Sequence, residues 1–250
     1  VLGTYHTASD SYDGGDGTDT ATLDVSTTLA PTLTNIEKVT VGFTTGGAFN
    51  AGNSSSITTI TLEEATTGTD ADAQVINIAD GTQIIVTDTN GTGTTASDLG
   101  AVTVDTASSA DATITARIST GSALTVTDAV NLTINASSTA LTSSFASLAM
   151  DDTDTKTLTV AGADTAYAFS LGAITNSSNI TSLTASSSTS SGTNSIGTMV
   201  DAEKLTSLTV TADNANVTTG TIGAGTSSVN AATLSTITVS ATGGATATVG

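Results

Sequence analysis

Cysteine is absent from all 250 residues, so no disulfide can staple this chain, and its stability must come from length, repetition or bound metal. Tryptophan is missing, aromatics make up 3%, and the apolar 37% is nearly all small or β-branched, enough for a thin core but not a broad globular one. Basic residues are as scarce. Four Lys+Arg face 23 Asp+Glu, a formal charge of −19. With no basic face to meet phosphate, nucleic acid is excluded as a partner, and so is an anionic membrane surface. No run of about 18 apolar residues exists, so membrane insertion by a helix is not expected. Only 11% of residues are charged, which argues against a solvated disordered tail, and such an acidic chain attracts divalent cations. Val1 in place of Met suggests a processed or excised segment.

What the chain does have is serine and threonine, about a third of all residues, in a strand rhythm. Apolar–Thr–apolar triplets recur, among them Val39-Thr40-Val41, Ile60-Thr61-Leu62, Val102-Thr103-Val104, Leu124-Thr125-Val126, Leu132-Thr133-Ile134, Leu158-Thr159-Val160, Leu208-Thr209-Val210 and Ile237-Thr238-Val239. Such alternation puts aliphatics on one face and a β-branched hydroxyl on the other. Helical periodicity is confined to Ser143–Met150 and Gly197–Leu205, where a turn or two of helix is expected. Glu63 and Glu64, at a strand end, are expected to be exposed. Clusters such as Asp88-Thr89-Asn90-Gly91 and Ala79-Asp80-Gly81 read as turns.

A longer unit, apolar-x-x-apolar-x-apolar, appears at Ile36–Val41, Ile57–Leu62, Ile180–Ala185, Leu205–Val210 and Leu234–Val239. Adjacent copies lie one coil of a stacked repeat fold apart. The fold expected is all-β: a right-handed parallel β-solenoid, or β-helix, with an Ig-like β-sandwich as the alternative. Residues 1–32 read as the end of a calcium-binding segment. Residues 33–250 read as an irregular Thr/Ser/Ala-rich solenoid, with 151–154 as a candidate division. Ser186 to Asn194 reads as a low-complexity loop.

One stretch carries specific chemistry. Gly14-Gly15-Asp16-Gly17-Thr18-Asp19 fits the G-G-x-G-x-D half of a calcium-binding nonapeptide. Glycines permit the dihedrals of a tight turn whose carbonyls can face a cation, and the aspartate supplies a hard carboxylate oxygen. Asp10, nine residues before Asp19, marks a degenerate upstream copy. Candidate Ca²⁺ positions are therefore Asp10, Gly14, Gly15, Asp16, Gly17 and Asp19. Asp151, Asp152 and Asp154 form a second candidate set, with Asp70 and Asp72 similar. His6 is the single histidine and Arg117 the single arginine, so neither a histidine triad nor a transition-metal site can be drawn. Enzymatic activity is not expected.

The same turn, followed by Leu33-Thr34-Asn35-Ile36-Glu37-Lys38-Val39-Thr40-Val41, resembles the RTX-type surface-layer (S-layer) proteins of bacteria. That resemblance implies a Ca²⁺-dependent structural protein, self-assembling with identical copies into an extracellular lattice and secreted by a type I system. Cell-surface polysaccharide is a further partner it allows. Ala21 departs from the pattern, where a large apolar residue is usual. Large RTX adhesins share the turn, so a stalk or ligand-binding segment of an adhesin is the alternative.

Overall fold

The computed structural model describes residues 7, 9–65, 70–87, 99–118, 122–137, 143–150, 155–162, 168–188, 192–223 and 234–250. All regular elements among them are β-strands, and every strand pairing is parallel. The chain is a β-solenoid, as its strand rhythm predicts. Strand β1 (Ser11–Asp13) pairs with β4 (Thr32–Thr34) as a short third wall. The first long sheet stacks β2 (Thr20–Val25), β5 (Lys38–Phe43), β7 (Thr59–Glu64) and β9 (Gln83–Thr87). It continues through the second halves of β10 (Val102–Arg117) and β11 (Ser122–Ala136) to β13 (Thr157–Gly162), β15 (Ser182–Ser187), β17 (Ser207–Asp213) and β19 (Thr236–Thr242).

The facing sheet stacks β3 (Thr28–Leu29), β6 (Gly47–Asn50) and β8 (Ala73–Ile78), then the first halves of β10 and β11. After these come β12 (Ser143–Met150), β14 (Phe169–Thr175), β16 (Asn194–Ile196), β18 (Val217–Thr219) and β20 (Ala247–Val249). Because β10 and β11 run from one sheet into the other without a break, both stacks enclose one core. At four of the passages from the facing sheet to the first, a left-handed residue makes the turn: Asn77 (φ 57°), Asp128 (62°), Asn176 (57°) and Asp201 (63°). Asn and Asp tolerate that region better than other L-residues.

The core is a set of columns. One runs Ala21, Val39, Ile60, Ile84, Ile114, Ile134, Val160, Ala185, Val210, Val239, each in register with the next. Burying each large aliphatic of this kind is worth about 1.5–3 kcal/mol relative to exposure. The recurrent unit slips along this column. Val39 and Ile60 are its fourth residue, whereas Ala185, Val210 and Val239 are its sixth. An even slip keeps every inward side chain inward, so the core survives it.

Beside that column, facing out, runs Thr113, Thr133, Thr159, Thr184, Thr209, Thr238, five half-buried and the last exposed. Hydroxyls and carboxylates also tie coil to coil. At the corner ahead of the first sheet, Thr58, Thr181, Thr206 and Ser235 donate to the carbonyls of Glu37 (3.1 Å), Lys156 (3.1 Å), Thr181 (3.0 Å) and Thr206 (3.1 Å). Acidic corners do similar work. Asp72 accepts from the Ala101 amide at 2.7 Å, Asp80 from that of Asp111 at 3.0 Å, and Asp213 from the Thr242 hydroxyl at 2.6 Å.

Three expectations are corrected. Ser143–Met150 is strand β12, not a helical turn, and its partner register jumps between Ser122↔Phe145 and Ala123↔Ser147. That bulge at Ala146 places Phe145 and Leu148 three residues apart on one face, which mimics helical spacing. Gly197–Leu205 is not helical either, and Met199 there bridges Ile174 and Ile222 in parallel. Glu64 is buried to 1% exposure and Glu63 is half-buried, because alternation from Ile60 and Leu62 turns Glu64 inward.

At the exposed end of the first sheet, Ile237 is 60% and Val239 48% exposed, although the column positions before them are covered.

Candidate metal site

The Gly14–Asp19 turn joins β1 to β2, and the next coil shapes it. Gly15 (φ 81°) and Gly17 (φ 123°) sit in the left-handed region, which disfavours any side chain there. Gly14 is excluded from having one by contact, since a Cβ would fall 2.1 Å from the Asn35 carbonyl oxygen and 2.7 Å from Asp19 Cβ. The Gly14 amide donates to the Thr34 carbonyl at 2.9 Å. Asp13 Oδ1 accepts from the Asn35 side-chain amide (2.9 Å) and from the Gly15 backbone (3.0 Å). Those two bonds, Asn35's the larger influence, hold the Asp13 carboxyl below the usual range.

Asp19 stands at the mouth of β2. Its amide donates to Glu37 Oε2 at 2.8 Å, and its carbonyl accepts from the Lys38 amide at 3.1 Å. Its Oδ2 is sealed from solvent without a hydrogen-bond partner, 3.9 Å from where a Gly17 Cβ would lie. A buried carboxylate oxygen left so costs about 1–3 kcal/mol or more. A hard cation in the glycine cradle would relieve it. Calcium fits this donor set: Asp19 with the backbone oxygens of a glycine-rich turn. Among the described residues no group of three or more His, Cys, Asp or Glu gathers. The balance of about 6–8 oxygens would come from backbone carbonyls and water.

Of the sequence candidates, the structure brings Gly14, Gly15, Gly17 and Asp19 together. Asp16 is exposed at the turn's tip. Asp10 is engaged elsewhere, accepting from the Thr7 amide (2.9 Å), the Thr7 hydroxyl (2.8 Å) and the Tyr12 hydroxyl (3.2 Å). Burial, then Asp10's hydrogen bond and charge, raise the Tyr12 phenol above its ordinary range. Asp151, Asp152 and Asp154 lie outside the described residues, as does His6. Asp70 takes a left-handed conformation (φ 46°), while Asp72 is spent on the Ala101 amide.

Sequence reasoning missed Glu37, whose carboxylate accepts the Asp19 amide beside the turn. Its signal was present: Asp19-Thr20-Ala21 and Glu37-Lys38-Val39 both place an acid just before a strand, and the two strands pair in that register.

A second pair of carboxylates meets on the outer face. Asp24 pairs with Gly42 and Gly42 with Glu63, and a Cβ on Gly42 would lie 3.0 Å from Asp24 Oδ1. Burial first, then the Asp24 charge, pushes Glu63 above the usual carboxylate range. An acid with a raised folded pKa opposes folding while it is ionised. The penalty is full above the folded pKa, shrinks as pH falls through it, and is gone below the unfolded value. Glu63→Gln will therefore raise the thermal midpoint at pH 7, and the gain will vanish in acid. Melting curves across pH check this, and a gain constant with pH would refute the charge origin.

No family model, no curated protein and no solved structure matches this chain.

Proposed function

We propose that this chain is a structural segment of a bacterial cell-surface protein that self-assembles with identical copies into a Ca²⁺-dependent S-layer lattice or related extracellular array. The observation that carries the reading is the outward threonine column from Thr113 to Thr238. Parallel strands repeat it at about 4.8 Å, so the face offers donors and acceptors at a constant interval. A lattice contact, or a contact to surface polysaccharide, needs such a repeating polar face rather than a single pocket.

The charge of −19 sets copies repelling one another. Calcium at the Asp19 turn and at acidic corners would neutralise that repulsion and link the copies. RTX-type secretion to the cell surface belongs to the same reading and rests on the turn's likeness to that family.

Electron microscopy of the purified protein with Ca²⁺, and again after excess EGTA, tests it. Ordered arrays are expected with the ion and dispersed particles without it. Arrays that survive the chelator unchanged would overturn the ion's role. A protein that stays monomeric in Ca²⁺ at high concentration on size-exclusion chromatography would favour an adhesin stalk.

A further inference from the structure

The corner ahead of the first sheet repeats one device in the later coils: Thr58, Thr82, Thr181, Thr206 and Ser235 each donate a hydroxyl to a carbonyl of the preceding coil. The device is not universal: Ala112, Leu132 and Leu158 continue the ladder position of Thr82 on β10, β11 and β13, and the first two coils carry acids. Asp19 and Glu37 occupy the equivalent places, one position before the paired residues Thr20 and Lys38. An ionised carboxylate has no proton to donate to a carbonyl. Glu37 instead turns back and accepts the Asp19 amide at 2.8 Å. This brings a second carboxylate against the backbone of the one residue at the turn whose own oxygen is buried without a donor.

Two anions stacked on adjacent strands repel each other, by several times more in a half-buried place than in water. Among the described residues nothing basic answers them there. Lys38, next along, is exposed and points to the opposite face of its strand from the core residue Val39. Two carboxylates on adjacent strands beside a glycine-rich turn, one with a buried oxygen lacking a hydrogen-bond partner, are the pattern of a shared ion.

We infer that Glu37 is a ligand of the cation held at the Gly14–Asp19 turn, so that one ion clamps the first coil to the second. The inference rests on reading that turn as a calcium site. One Glu37 oxygen keeps the Asp19 amide in place, and the carboxylate's remaining lone pairs serve the ion. Ion binding then depends on the β2–β5 register, and occupancy should protect the first coil from unfolding.

The test uses the full chain, with calorimetric Ca²⁺ titration and hydrogen exchange of β2 with and without Ca²⁺. Three variants are compared with the native protein: Asp19→Asn, Glu37→Gln and Glu37→Thr. Glu37→Gln keeps an acceptor for the Asp19 amide. Glu37→Thr installs the hydroxyl used in later coils, so the corner still packs if the amide variant fails to fold. Both Glu37 variants are expected to weaken the Asp19-dependent site by about tenfold or more, since ligand charge count tunes affinity. They should also lose the Ca²⁺-induced protection of β2. If Asp19→Asn abolishes the site while both Glu37 variants titrate like the native protein, Glu37 is no ligand although the calcium reading stands. If Asp19→Asn changes nothing, the calcium reading fails and this inference goes with it.

Discussion

A valine at position 197 will unfold the C-terminal coils. Gly172, Gly197, Gly220 and Gly250 stack as a column directly after the paired residues Leu171, Ile196, Thr219 and Val249. A Cβ at Gly197 would fall 2.5 Å from the Gly172 carbonyl carbon and 2.9 Å from the Ala173 nitrogen, both backbone atoms that cannot swing aside. The Gly197 amide also holds the Leu171 carbonyl at 2.7 Å, so the coils cannot separate without breaking the ladder. Overpacking typically costs about 1–3 kcal/mol, and a clash with backbone belongs at or beyond the upper end. Gly197→Val should lower the denaturation midpoint and strip hydrogen-exchange protection from β16 to β18. Protection of β5 and β7 should persist, since solenoid coils rely on their neighbours. Gly244→Ala serves as control: its φ of 81° adds strain, but no atom lies within 4 Å of the new methyl. Equal melting of Gly197→Val and the native protein would refute the close approach.

The second large effect is expected at Phe145. All four phenylalanines of the chain, Phe43, Phe49, Phe145 and Phe169, are fully buried, so every phenylalanine ring is spent inside. Phe145 sits in register with Leu171, and Phe169 lies one coil on, opposite Ser143. Its ladder partners Ser122 and Leu171 lie on strands fixed by parallel pairing, which cannot collapse into a ring-sized hole. Phe145→Ala should cost about 3–5 kcal/mol, and Phe145→Leu markedly less because most of the volume remains. Urea denaturation of both variants measures the difference. A loss below about 1 kcal/mol for the alanine variant would mean that the site refills.

Much of the fold was legible because threonine marks the outer face so consistently. In each of the triplets but the last, Ile237-Thr238-Val239, the central residue lies out and its neighbours in, and all fall within strands. The five recurrent units separated a solenoid from a sandwich, since only stacked coils bring them into one sheet. Legibility failed where local pattern and parity disagree. The β12 bulge converted an alternating strand into apparent helical spacing. Glu64 was misplaced because its charge points to solvent while its position points inward, and parity won. At the candidate metal site, the glycines and Asp19 could be read from the turn alone. Glu37 could not, because it lies 18 residues away and joins only through the strand register.

The column from Ala21 to Val239 keeps its registration although the chain between neighbours is very uneven: Ala21 to Val39 in one coil, Ile84 to Ile114 in another. Along this column length is therefore absorbed outside the paired positions, while the facing sheet takes up one residue as the bulge at Ala146. Such a backbone behaves like a ruler with pockets sewn along its edge. Foreign peptides grafted at those edges would be carried at fixed, countable heights, and a lineage could lengthen its surface loops one coil at a time without redesigning what lies beneath.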